Sequence, residues 1–187
     1  METSRLADIP QEAADVAAPW ARTLYDALVA ADVRQVTYVP DAGHARLIDL
    51  VRATKAIKAT VLTTEEEGVA IAAGAGLGGE RSALLMQSSG VGNCVNMLSL
   101  IASCRMPFLT IVTMRGEWAE FNPWQVPMGR ATPEALQIMG VRVMRVDRLE
   151  DLAEVMSAAA AMAFESEQAI AVLLSQRLLG RKTWVEK

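Results

Sequence analysis

The sequence predicts an α/β fold, a doubly wound and mostly parallel sheet of six strands with helices on both faces. Three observations carry that prediction. Strand-like apolar runs alternate with helix-periodic stretches along the whole chain. Most of these runs are continuously apolar rather than alternating, as strands buried on both faces are. The segments after the first four runs are rich in glycine and polar residues, which puts candidate chemistry at one edge of the sheet.

Trp20, Leu24, Leu28 and Ala31 recur at helical spacing, so a first helix covers about 19–31, with Pro19 suited to its first turn. Val36–Val39 reads as the first strand, stopped by Pro40. The loop Asp41–His44 leads into a helix carrying Leu47, Ile48 and Val51. A short second strand near 57–63 gives way to a Gly/Ala helix near 66–77. Ser82–Gln87 is a third strand, closed by a loop over Ser88–Asn93, and a helix spans about 94–103. Phe108–Thr113 is the fourth strand. A long irregular segment from Met114 to Arg130 precedes a short helix that Thr132-Pro133-Glu134 should start. Val141–Val146 is a fifth strand, placed at a sheet edge because Arg142 and Arg145 interrupt it. A helix over Leu149–Phe164 and a sixth strand, Ala169–Leu174, complete the pattern. One domain is expected over 16–180, with a loose leader at 1–15 and a tail at 181–187. Its functional edge should be formed by 40–44, 64–68, 87–93 and 114–130.

With 187 residues, 52% hydrophobic and 21% charged, the chain is globular and long enough for a real core. A net charge of −4 without any Lys/Arg block argues against a nucleic-acid partner. No apolar run is long enough to span a bilayer. Met1 to Gln11 carries Glu2, Asp8 and the single cation Arg5, unlike a secretory signal. A cytoplasmic protein is expected, without a membrane partner. Cys94 and Cys104 lie ten residues apart, a spacing that suits neither a zinc ribbon nor a redox pair, and both are expected reduced and buried. His44 is the only histidine, which excludes a multi-His metal site, and no metal ligand is assigned.

Several groups at the functional edge invite chemistry. Glu65-Glu66-Glu67 falls where the second strand turns into the Gly/Ala helix, and no further charge follows until Glu80. Packing such acids on small residues should raise the pKa of at least one and make it an acid–base candidate. The acids could equally serve only to complement a helix N-terminus. Gly90-Val91-Gly92-Asn93 suggests a backbone that turns tightly or approaches a ligand, or simply a capped helix start. It lacks the third glycine of the dinucleotide fingerprint and the Lys-Ser/Thr of a phosphate-binding loop. Arg115 could pair with Glu117 or Glu120, or could hold a substrate anion with its planar fork. His44 could be a core or solvated residue or an acid–base group. Trp118, Phe121 and Trp124 in the long segment imply that it packs on a partner chain or closes over a site.

The runs Glu65–Gly74, Met86–Asn93 and Met114–Glu117 resemble the pyrimidine-binding domain of thiamine-diphosphate enzymes. The resemblance covers about 20–175, and it is strongest to the branch of sulfopyruvate decarboxylase alpha subunits and phosphonopyruvate decarboxylases. It implies thiamine diphosphate as cofactor. One glutamate would hydrogen-bond N1′ of its aminopyrimidine ring and favour the imino tautomer, whose nitrogen removes the thiazolium C2 proton. Counting back six residues from Ala72-Ala73 gives Glu66, with Glu65 and Glu67 as alternatives. Gln87, Gly90, Gly92 and Asn93 would shape the pyrimidine pocket. Ser89 and Arg115 would contact substrate, and His44 would serve as acid–base group. No Gly-Asp-Gly, the family's metal and diphosphate motif, occurs in the sequence. The resemblance therefore implies a separate beta subunit that holds the diphosphate and Mg2+. It also implies a small 2-oxo acid substrate, 3-sulfopyruvate before phosphonopyruvate. Self-association is expected from the apolar surface around Trp118 and Trp124. A non-catalytic ligand- or partner-binding domain and a nucleotide-binding flavodoxin-like domain are the alternatives.

Overall fold

A computed structural model describes residues 18–181. The expected leader over 1–15, and the expected tail beyond residue 181, lie outside the described residues. The elements run α1 Pro19–Ala30, β1 Val33–Tyr38, α2 Ala45–Ala53, β2 Lys58–Val61, α3 Glu65–Leu77 and β3 Arg81–Gln87. They continue α4 Ser88–Cys94, α5 Leu98–Cys104, β4 Phe108–Thr113, a 3-10 turn Pro123–Gln125 and α6 Val126–Ile138. The chain closes with β5 Arg142–Val146, α7 Leu149–Phe164, β6 Ala169–Leu174 and α8 Gln176–Leu179. The six strands form one sheet in the order β2-β1-β3-β4-β6-β5, and every pairing is parallel. β5 lies at an edge, where its two arginines reach solvent.

Two cores sandwich the sheet. Val36, Leu85, Ile111 and Val172 join Leu24 and Leu28 of α1, Leu47 of α2 and Met156 of α7 on one face. The intervening positions Leu84, Met86, Val112 and Leu173 join Val69 of α3, Val91 of α4, Leu98 of α5 and Leu136 of α6 on the other. The period of two along each strand, applied to an all-apolar run, gives each face its own set. Each fully buried side chain of this size stabilises the fold by about 1.5–3 kcal/mol relative to exposure.

The winding reverses at β1. From β1 the chain crosses to β2 by α2 on one face, then returns to β3 by α3 on the other. Connections that diverge at such a point leave a crevice outside the strand ends. Gly68 brings α3 close to the sheet there. A Cβ at Gly68 would run into Leu84 and lie 2.9 Å from Leu62 Cδ1 and 3.0 Å from Thr37 Oγ1.

Two departures from the sequence reading matter for function. Ser88–Asn93, expected as a loop, is helix: α4 starts directly after β3 and buries Val91 and Cys94. Glycine-rich propensity favours a loop, but packing of those two side chains overrides it. The long segment is irregular only as far as Asn122, and α6 begins at Val126, with Pro133 inside the helix rather than at its start. Thr132 Oγ1 donates to the Met128 carbonyl at 2.6 Å, four residues back, beside the point where Pro133 lacks an N–H.

Candidate active site

The three acids of α3 separate into three environments. Glu67 bends back and accepts a hydrogen bond from the Thr63 amide at 2.8 Å, one residue before the N-cap Thr64, whose own side chain makes no capping bond. Glu66 is exposed. Glu65, half-buried, turns toward α4: its Oε2 accepts from the Asn93 amide Nδ2 at 2.8 Å. Its Oε1 lies 2.5 Å from the place a Cβ would take on Gly90. Gly90 is therefore required by a close approach, and what it accommodates is a carboxylate. The structure brings Glu65 rather than Glu66 to the glycine turn, one residue before the position counted from Ala72-Ala73. α3 starts at Glu65, and this first residue faces across to α4.

The remaining pocket candidates cluster around that carboxylate. Gln87 ends β3 and donates its amide to Ser89 Oγ at 2.7 Å. Gly92 and Asn93 are exposed on the next turn of α4. Met128 of α6 reaches over Gly92, its sulfur 3.3 Å from where a Cβ would stand. The donors here are amides and a hydroxyl, uncharged apart from the glutamate.

Arg115 and His44 are placed differently from the expectation for substrate groups. Arg115 is buried, and its fork is taken by Glu120, with Nε and Nη2 each donating at 2.6 Å. The guanidinium also lies 5.6 Å from the Phe121 ring centre. The ion-pair reading of Arg115 is therefore the one the structure shows. His44 is 1% exposed. Its Nε2 lies 3.2 Å from the Met86 carbonyl oxygen and 3.1 Å from that of Ile111, at the ends of β3 and β4. Both partners are acceptors, so this nitrogen carries the proton and ties two strand ends together. His44 is thus a core residue beneath the edge, not a group open to the crevice.

The segment after β4 is fastened rather than free. Glu120, whose side chain is 3% exposed, also accepts from the amides of Gly116 and Asn122 and from Gln176 Nε2. Glu117 takes both terminal nitrogens of Arg145 at 2.8 Å. The Glu120 carboxyl is held down to about 2 from its ordinary 4.5, chiefly by Arg115, while burial opposes the shift. A depressed carboxyl contributes stability in full above its unfolded value and loses it as the pH falls through its folded value. Thermal melts of the wild type and Glu120→Gln should thus converge as the pH drops from about 4.5 toward about 2. Curves that stay parallel across that window would show that the carboxylate does not carry the tether.

No protein-family profile matches the chain. Among known proteins it is 38% identical over 137 residues to the sulfopyruvate decarboxylase alpha subunit of Methanothermobacter thermautotrophicus, covering 73% of this chain and 83% of that one. The chain belongs to the family of sulfopyruvate decarboxylase alpha subunits. It is also 37% identical over 120 residues to the phosphonopyruvate decarboxylase of Streptomyces viridochromogenes, a match spanning 63% of this chain but 30% of that longer one. In solved structures, the 2-oxoglutarate:ferredoxin oxidoreductase of Magnetococcus marinus superposes with a TM-score of 0.70 at 16% identity. That superposition covers 88% of this chain and 33% of that one, and it shows the shared α/β fold.

In this member of the family, Cys94 sits behind the site. Burial first, then the charges of Glu65 and Glu66, push its thiol up to about 12, so it stays protonated and inert. Cys104, expected buried, is exposed as the last residue of α5. Among the described residues, no group of three or more His, Cys, Asp or Glu is placed to hold a metal ion, and no helix is long and apolar enough to cross a membrane. Sequence reasoning missed Gln176, which is buried two residues after β6. Its signal was weak, a lone amide following the sixth apolar run, in a connection that otherwise looks plain.

Proposed function

We propose that this chain is the pyrimidine-binding subunit of a thiamine-diphosphate-dependent decarboxylase that converts 3-sulfopyruvate to sulfoacetaldehyde and CO2. The observation that carries the reading is the Glu65 carboxylate lying on Gly90 and held by Asn93. Gly90 leaves room beside an acid where any side chain would fill it, and the surrounding amides and hydroxyl suit a neutral, amine-bearing ring. The Glu65 carboxylate among them would repel a diphosphate, and the sequence contains no Gly-Asp-Gly. The charged end and its Mg2+ therefore fall to another chain, in keeping with the alpha-subunit names of the relatives.

When bound, thiamine diphosphate supplies the electron sink that lets a 2-oxo acid lose CO2. Glu65 would hold a proton between its Oε1 and a ring nitrogen, while Asn93 fixes the other oxygen and so the orientation of the acid. Gln87 and Ser89, bonded to each other, would offer the ring's amino group a fixed partner. His44 keeps the ends of β3 and β4 in register beneath the ring. Arg115 is spent on Glu120, so the sulfonate must find its counter-charge elsewhere. Trp124 is 84% and Ile138 82% exposed, which supports self-association in addition to the beta subunit.

The test is reconstitution. The chain alone, given thiamine diphosphate and Mg2+, should release no CO2 from 3-sulfopyruvate. Adding a partner chain that carries Gly-Asp-Gly should restore turnover. Turnover by the chain alone would remove the divided enzyme, and faster turnover of phosphonopyruvate by the pair would reassign the substrate.

A further inference from the structure

Gln176 uses both ends of its amide. It is 2% exposed, at the start of α8. Oε1 accepts from the amides of Glu117 and Trp118 at 3.2 and 3.0 Å, and Nε2 donates to Glu120 Oε2 at 2.9 Å. Its backbone amide donates to Glu117 Oε1 at 2.8 Å. One residue at the end of β6 therefore pins both carboxylates and two backbone amides of the segment that follows β4.

That segment in turn bears on the glycine turn. The Arg115 amide donates to Ser88 Oγ at 3.1 Å, at the first residue of α4. The Arg115 carbonyl is pressed against Gly129 of α6 so closely that no Cβ could stand there. From α6, the Thr132 hydroxyl, whose proton lies mainly toward the Met128 carbonyl, also approaches the Ser88 carbonyl oxygen at 3.2 Å, and Met128 covers Gly92. The segment, α6 and α4 thus meet at Ser88, two residues before Gly90.

We infer that Gln176 is a positioning residue, which sets the height of Gly90 beneath Glu65 by locking the 115–122 segment between β6 and α4. Only a neutral amide fits. A carboxylate could accept from the two amides but would face Glu117 and Glu120, whose charges are otherwise matched by Arg145 and Arg115. An apolar side chain would leave buried partners unsatisfied, at about 1–3 kcal/mol for each such group.

Gln176→Glu and Gln176→Leu test this in two ways. The first needs no cofactor: amide hydrogen exchange on the full chain. Exchange over Ser88–Cys94 should quicken in both variants, while β1 and β4 keep wild-type protection. The second rests on the function proposed above, in the enzyme reconstituted with its partner. There kcat should fall on the order of 10²-fold with KM nearly unchanged, as for a misplacement of about 1 Å. Lowering the pH should recover part of the Gln176→Glu loss, because protonation restores a donor toward Glu120, and should recover nothing for Gln176→Leu. Unchanged exchange over Ser88–Cys94 would overturn the inference, as would a loss of activity that only tracks the loss of folded protein. If exchange quickens but the wild-type pair shows no turnover, the proposed reaction fails and the positioning role stands.

Discussion

Glu65→Gln in the reconstituted enzyme should lower kcat by about two to four orders of magnitude, the range for losing a positioned proton-transfer group. The amide keeps the size of the side chain and can still meet Asn93, but it cannot share a proton with a ring nitrogen in the same way. Cofactor affinity should weaken much less, because in the proposed enzyme the charged end is anchored on another chain. Glu66→Gln, on an exposed side chain, should keep near-normal turnover. Glu67→Gln keeps an acceptor for the Thr63 amide and should leave both turnover and stability near the wild type. Gly90→Ala keeps the acid in the sequence but displaces it, because the added carbon would stand 2.5 Å from Oε1, so it should reproduce much of the Glu65→Gln defect. The panel is decided by kcat alone. Loss of turnover on Glu66→Gln with retention on Glu65→Gln would move the acid one residue along α3. Retention in all three glutamine variants would remove the thiamine mechanism from this chain.

Gly129→Ala should lower stability by about 3 kcal/mol, at the upper end for overpacking, because the added carbon meets a backbone oxygen and not a yielding side chain. In a chain of this size that corresponds to a melting temperature lower by roughly 6–12 °C. Either α6 or the Arg115 backbone must move, and both hold Ser88. Gly74→Ala is the control. It lies in α3 with nothing within 4 Å of the added carbon, and it should raise stability by up to about 1 kcal/mol through helix propensity. Calorimetry showing Gly129→Ala to melt with the wild type would mean that the α6 contact is looser than described.

The strands that carry the sheet were legible because they are buried on both faces. Ala169–Leu174 reads as an unbroken apolar run, Phe108–Thr113 as an uncharged one with only threonines among its apolar residues, and both end where the structure ends them. The edge position of β5 followed from two arginines that an interior strand could not accommodate. The edge that carries the candidate site was also legible, since polar and glycine residues gather at strand ends on one side only. What the sequence left open is which neighbours meet across the turn. Glu65, Glu66 and Glu67 have identical side chains, and only the exact start of α3 sorts them into pocket, solvent and cap. Ser88–Asn93 misleads because local preference for a loop is outweighed by burial of Val91 and Cys94; a single-residue scale sees glycine, while the fold sees the apolar partners beneath it. Arg115 could be read two ways because Glu120 is five residues away along the chain, and the choice rests on tertiary closure. Gln176 was invisible for the same reason on a longer scale, since its partners lie more than fifty residues earlier.

Gly92 and Asn93 face solvent beside a half-buried acid, so in the proposed enzyme this chain offers one wall of the cofactor pocket. A ligand that bridges two walls is bound by mass action on both. Whatever factor it adds to the association of the two chains, the second chain must add to its affinity, since both quantities close the same thermodynamic cycle. Cofactor titrations of the assembled enzyme should therefore shift with protein concentration. Dilution would release the vitamin and the subunits together, and a cell could control flux through the reaction by the abundance of either chain.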